Sequence, residues 1–155
     1  MTSIHIIYAS TSGHTEYVVE ILAPLLREAG MDVTVTRADQ ATAKDLLNGD
    51  VLILGSGTWN MGGVEGQLNM HMHRLLFEQA AHINLNGKNV ALISLGDDRY
   101  YFTTRCTEGF MRFLKEHNGK SLPPPLIIVN EPYGQEERIQ KWGEKLVNKL
   151  TVATP

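Results

Sequence analysis

The chain has 155 residues, a formal net charge of −3 and a pI near 6.0, with 43% hydrophobic and 20% charged residues. That length predicts one domain over residues 1–155, and the balance is that of a soluble folded protein, not a disordered or fibrous one. The weak acidity gives no basic patch for nucleic acid, and no run approaches the roughly eighteen apolar residues of a membrane span. The single cysteine, Cys106, excludes an intramolecular disulfide and points to a reducing cytoplasm.

Apolar, β-rich runs at residues 4–9, 33–36, 51–55, 90–95 and 126–129 predict five strands. The first is too short for a signal-peptide core and lacks a basic flank; its His5 reads as a satisfied core or edge histidine. Helical spacing follows at Val18, Ile21, Leu22, Leu25 and Leu26, where Pro24 predicts a kink or a bend on the solvent side. Residues 41–48 form a weaker, shorter helix pattern. Leu68, Met72, Leu75 and Leu76 predict the next helix, then Phe110, Phe113 and Leu114, and last Ile139, Trp142, Leu146 and Leu150. The prolines Pro123, Pro124 and Pro125 cannot lie in a central ladder, so the fifth strand is expected to start only at Leu126. Strands that alternate with helices and read as continuous apolar runs predict a doubly wound α/β fold with a parallel sheet covered on both faces.

In such sheets ligands sit beyond the carboxyl ends of the strands, where the winding reverses, which selects the segments after strands one, three and four. The first is Ser10, Thr11, Ser12, Gly13, His14 and Thr15, directly before a helix. Hydroxyls, backbone N–H groups and the helix dipole can surround a phosphate there, and no lysine or arginine joins them. Neutral donors suit a permanently bound monophosphate, whereas triphosphate sites bring a lysine and a metal. The competing reading is an ordinary Ser or Thr helix cap. Segment two, from Gly55 through Thr58, Trp59, Asn60, Met61 and Gly62, reads as a loop whose glycines admit close approach and whose tryptophan offers a flat face. Segment three runs from Gly96 and Asp97 to Tyr100 and Tyr101. One ring from each of these two segments can sandwich a planar ligand.

These three segments together, in this order and at these strand ends, resemble the flavodoxins over nearly the whole chain. Residues 10–16 resemble the family's FMN phosphate loop. Thr58, Trp59, Asn60, Met61 and Gly62 resemble the loop whose tryptophan covers one flavin face, and Gly96 and Asp97 with Tyr100 or Tyr101 resemble the loop covering the other. Residues 125–132 are similar to the last strand of short-chain members and lack the insertion of long-chain ones. The resemblance implies a flavodoxin-like three-layer sandwich with five parallel strands in the order 2-1-3-4-5. It also implies a low-potential one-electron carrier whose non-covalently bound FMN cycles between semiquinone and hydroquinone, with the Asn60 carbonyl accepting from the flavin N5–H. Asp97 and Asp98 would disfavour the anionic hydroquinone by like-charge repulsion, and Arg99 would offset part of that effect.

The implied partners are a flavodoxin reductase as donor and an electron-accepting enzyme, with no nucleic acid, no membrane and a monomeric state. A net charge of −3 is weak for the family and predicts association that depends less on salt than in a strongly acidic relative. Two other readings compete with a carrier: an FMN-dependent NAD(P)H quinone or nitro-compound oxidoreductase of the same fold, and a flavin-free receiver module. The receiver needs an acidic cluster where Ser10 and Thr11 stand, and no catalytic acid or base stands out for the enzyme. Met70, His71, Met72 and His73 alternate soft ligands, but neighbours two apart do not share a helix face, so no metal site is expected. Gly55 and Gly57 lack the third glycine of a dinucleotide fingerprint and follow the wrong strand.

Overall fold

The computed structural model of the protein describes residues 2–61, 64–97 and 105–152, the side chains of residues 59–61, 64–66 and 152 excepted. Strand β1 (Ser3–Tyr8) lies between β2 (Asp32–Arg37) and β3 (Val51–Met61), and β3 pairs in turn with β5 (Asn89–Gly96), all in parallel. Along β1 the side chains alternate between the two faces of the sheet. Ile4, Ile6 and Tyr8 join one apolar cluster with helices α1 (His14–Glu28) and α4 (Glu136–Val152). Ile7 and Ala9 join the other, with α3 (Cys106–Glu116) and the helical segment that begins with α2 (Met70–His73). Both faces are covered, as near-continuous apolar strands require.

The fifth position of the parallel sheet is shared by two short strands. β6 (Lys120–Ser121) pairs with the start of β5, and β7 (Leu126–Val129) pairs with its end. Three prolines between them have no N–H to donate, which interrupts the ladder until Leu126. In parallel strands the order is therefore the expected 2-1-3-4-5, with seven strands among the described residues because the last is split and an antiparallel strand, β4 (Val64–Leu68), joins β3. Leu68, expected on a helix, closes β4 instead.

The helices follow their apolar spacing. Val18, Leu22 and Leu26 of α1 are buried against Ile139, Trp142, Leu146 and Leu150 of α4. α1 runs through Pro24, which stands on the exposed side where water can satisfy the carbonyl left without its N–H partner. Residues 41–48 give only one tight 3₁₀ turn, Ala43–Leu47, held by reciprocal bonds between Thr42 and Asp45 and anchored by buried Leu46. The second helical pattern is also short, since α2 passes into a π-helical turn over Arg74–Gln79. No helix of the described residues is long and apolar enough to cross a membrane.

His5 is buried in β1. Its Nδ1 faces the Asp45 carbonyl at 3.0 Å and its Nε2 the Thr36 hydroxyl at 2.8 Å. One neutral tautomer satisfies both contacts, with Nδ1–H donating and Nε2 accepting. Burial lowers its pKa from the ordinary 6.5 despite the raising effect of the Asp45 carbonyl. Below about pH 6.5 the unfolded chain takes up a proton that the folded chain resists, so stability falls as pH falls. The urea midpoint is expected to drop between roughly pH 6.5 and 5, above the range where carboxylates titrate. His5→Gln is expected to flatten that drop, and an unchanged slope in the variant would refute the assignment.

Candidate functional site

β1 occupies the middle of the sheet, and its exit is the origin of the site. Ala9 still bonds across to the Gly55 carbonyl at 3.0 Å, after which the chain leaves the sheet at Ser10. The Ser10 hydroxyl accepts from the N–H groups of Gly13 at 3.1 Å and Glu16 at 3.4 Å, folding the loop back over the start of α1. Gly13 makes the turn into the helix in the left-handed region, at φ 91°, where a side chain would be strained. With both acceptor sites used, the Ser10 hydroxyl keeps one proton to donate, and no acceptor among the described residues takes it.

Other donors of this loop have no partner among the described residues. Among the described residues no acceptor takes the N–H of Thr11, Ser12, His14 or Thr15. Thr15 is buried, and its hydroxyl also lacks a partner among them; its methyl lies 3.4 Å from where a Cβ on Gly55 would stand. A buried hydroxyl without a partner is costly unless a ligand or water completes it. An anion at this helix start would satisfy four N–H groups and a hydroxyl at once, favoured by the helix dipole. The loop therefore fits a phosphate.

The second wall is not the loop that the sequence predicts. β3 continues from Gly57 to Met61 and pairs antiparallel with β4, Thr58 opposite Leu68, Trp59 opposite Gln67 and Met61 opposite Val64. Thr58 and Trp59 favour extended backbone, and two residues separate the paired runs, as in a hairpin. The register shifts between Trp59 and Met61, so Asn60 sits at an irregularity in the ladder. Its peptide is less constrained there than in a regular ladder. On the far side, β5 ends at Gly96, whose carbonyl accepts from Asn130 N–H, and the half-buried Asp97 follows.

A family model described as Flavodoxin matches residues 6–142 of the chain. The chain belongs to the flavodoxin family. It is 30% identical over 149 residues to a probable flavodoxin 2 of Bacillus subtilis, covering 96% of this chain and 91% of that one. It is 35% identical over 166 aligned positions to flavodoxin 1 of Azotobacter vinelandii, covering 92% and 94%. Among solved structures, oxidised flavodoxin 2 of Bacillus cereus superposes with a TM-score of 0.85 at 27% identity, covering 95% of this chain and 99% of that one.

In this flavodoxin the structure brings Ser10 to Thr15 into one cradle, with Thr11 and Ser12 exposed and His14 half-buried. Trp59, Asn60 and Met61 are described as backbone only. Gly62, Tyr100 and Tyr101 lie outside the described residues, as do Asp98 and Arg99. Thr58 has a task within the protein. Its hydroxyl donates to the Leu95 carbonyl at 2.9 Å and accepts from Cys106 N–H at 3.4 Å, tying the exits of β3 and β5 to the start of α3. Cys106 is buried and burial pushes its thiol pKa up, so it behaves as a small apolar helix residue. Met72 is buried and Met70 exposed, so they face opposite ways.

Sequence reasoning missed three contributors. Ser56 and Asn69 are buried polar residues beneath the cradle, and Asn69 caps α2 by accepting from His71 N–H at 2.9 Å. An Asn immediately before a helical pattern is a readable cap signal. Tyr133, in the turn before α4, leans on Tyr17 with ring centres 4.7 Å apart and on the edge of His14 at 5.7 Å. Nothing in its local sequence places it beside α1.

Ser10→Ala removes the acceptor shared by two N–H groups. It is expected to lower stability of the ligand-free chain by about 1 kcal/mol, the usual worth of a helix cap. Urea titration checks this, and an unchanged midpoint would show that Ser10 does not hold the loop.

Proposed function

We propose that the cradle, the β3–β4 hairpin and the segment after β5 bind FMN as one site, and that this site defines the chain's place as an electron carrier. As a flavodoxin, the protein is an FMN-binding electron carrier working between redox partners, not an enzyme. The observation that carries the residue assignment is the set of unpartnered N–H groups around Gly13, joined by the buried Thr15 hydroxyl.

Ser10, Thr11, Ser12, Gly13, His14 and Thr15 hold the phosphate, through N–H groups and hydroxyls and without a fixed cation. Neutral donors preset in this way hold a dianion without bringing a mobile side chain to order. Trp59 covers one face of the ring system and Tyr100 or Tyr101 the other, with Thr58, Met61, Gly62, Gly96 and Asp97 forming the backbone around them. FMN, when bound, would supply two successive one-electron couples. The carbonyl of Asn60, at the ladder irregularity, would accept a hydrogen bond from a protonated ring nitrogen. The aromatic side chains and the Asp97 carboxylate would disfavour added negative charge and so favour a lower second potential.

The finer assignments complete the proposal. The donor is a flavodoxin reductase and the acceptor a reducible enzyme, each meeting a monomer in the cytoplasm, and residues 1–155 form one domain. A net charge of −3 steers such partners only weakly, so their association responds little to ionic strength.

Anaerobic reductive titration of the FMN-loaded protein is expected to give two separated one-electron steps, with long-wavelength absorbance greatest at half reduction. A single two-electron step would refute the carrier mechanism. Trp59→Ala is expected to weaken FMN binding by roughly tenfold or more, as loss of a stacked aromatic anchor does. Unchanged affinity, read by quenching of flavin fluorescence, would remove Trp59 from the site.

A further inference from the structure

Asn69 is 2% exposed and joins three elements. Its backbone N–H donates to the Ser56 hydroxyl of β3 at 2.9 Å, its Oδ1 accepts from His71 N–H at the start of α2, and its Nδ2 donates to Thr11 Oγ1 in the cradle at 2.9 Å. The Ser56 hydroxyl itself donates to the Gly57 carbonyl at 2.7 Å. The amide cannot be turned round, because the opposite orientation would set Nδ2 against the His71 N–H, donor against donor. Asn69 therefore presents only a donor to Thr11.

A hydroxyl has one proton to give and lone pairs to receive. Since Nδ2 can only donate, Thr11 Oγ1 accepts, and its proton must point elsewhere. Among the described residues nothing takes it, and Thr11 is exposed, in the loop whose N–H groups lack acceptors. We infer that Asn69 is a positioning residue that fixes the Thr11 hydroxyl as a donor to the bound phosphate, so that recognition of the phosphate depends on a side chain that does not touch it. This inference rests on the proposed FMN site and adds to it a source of discrimination between phosphorylated and unphosphorylated flavin. The same residue, through Ser56, ties the cradle to the strand that carries Trp59.

Dissociation constants of the ligand-free protein for FMN and for riboflavin, from flavin fluorescence quenching, separate the possibilities. Asn69→Ser keeps an oxygen able to cap α2 but withdraws the amide from Thr11 without adding charge. It is expected to raise the FMN constant about fivefold, the worth of one hydrogen bond, and to leave the riboflavin constant within twofold. Asn69→Asp also keeps the cap, but its carboxylate draws the Thr11 proton inward, and a larger loss confined to FMN is expected. In a Thr11→Val background, Asn69→Ser is expected to add less than twofold. Equal losses for both flavins would make Asn69 merely structural. An unchanged FMN constant, or an undiminished effect in the Thr11→Val background, would overturn the inference. Failure of the site itself reads differently: the unaltered protein would then bind FMN no more tightly than riboflavin.

Discussion

The site depends on one unmet electrostatic requirement: several backbone N–H groups at the exit of β1 have no acceptor among the described residues. Ser10 satisfies two donors of the loop, those of Gly13 and Glu16, and those of Thr11, Ser12, His14 and Thr15 remain open. The first turn of any helix has such orphans. Here they are joined by the buried hydroxyl of Thr15, whose side chain packs beside Gly55 on the next strand. Because β1 is central and its side chains are locked into both apolar clusters, the donors are held at fixed positions before a ligand arrives. A phosphate placed there would meet a preset field of partial charges, with no lysine needed to draw it in.

Beneath the cradle lies a set of small polar residues that give the three strand exits a common footing. Ser56 and Asn69 join β3 to the cradle and to α2, while Thr58 joins β3 to β5 and α3. Ser94 and Thr107 share a further bond of 2.6 Å between β5 and α3. Buried polar groups are tolerable only when paired, and pairing in this low-dielectric setting makes their geometry rigid. The exits of β1, β3 and β5 are therefore not independent loops: Asn69 hydrogen-bonds the cradle and β3 together, and Thr58 does the same for β3, β5 and α3.

Most of the fold was legible in the sequence because burial on both faces of a parallel sheet leaves unbroken apolar runs, and all five predicted runs became strands. Ile139, Trp142, Leu146 and Leu150 likewise lie on one helix, as their spacing predicts. What escaped were elements whose residues satisfy weak or mixed patterns. Val64 to Leu68 contains Gly66 and two polar residues, and so reads as a poor strand until Thr58 and Trp59 pair with it. Lys120 and Ser121 make a strand only by lying against Asn89 and Val90. The donor set around Gly13 was visible as residue types, but the role of Asn69 was not, because it arises from a contact 58 positions away along the chain.

Amide resonances offer the most direct view of the open donors. The protein labelled with nitrogen-15 and saturated first with riboflavin and then with FMN should show changes between the two states concentrated on Thr11, Ser12, His14 and Thr15, with their N–H protons moving downfield as a phosphate accepts from them. If those four amides keep their positions while others in the chain respond to the phosphate, the anion lies elsewhere, and the account of this site built on the exit of β1 is wrong.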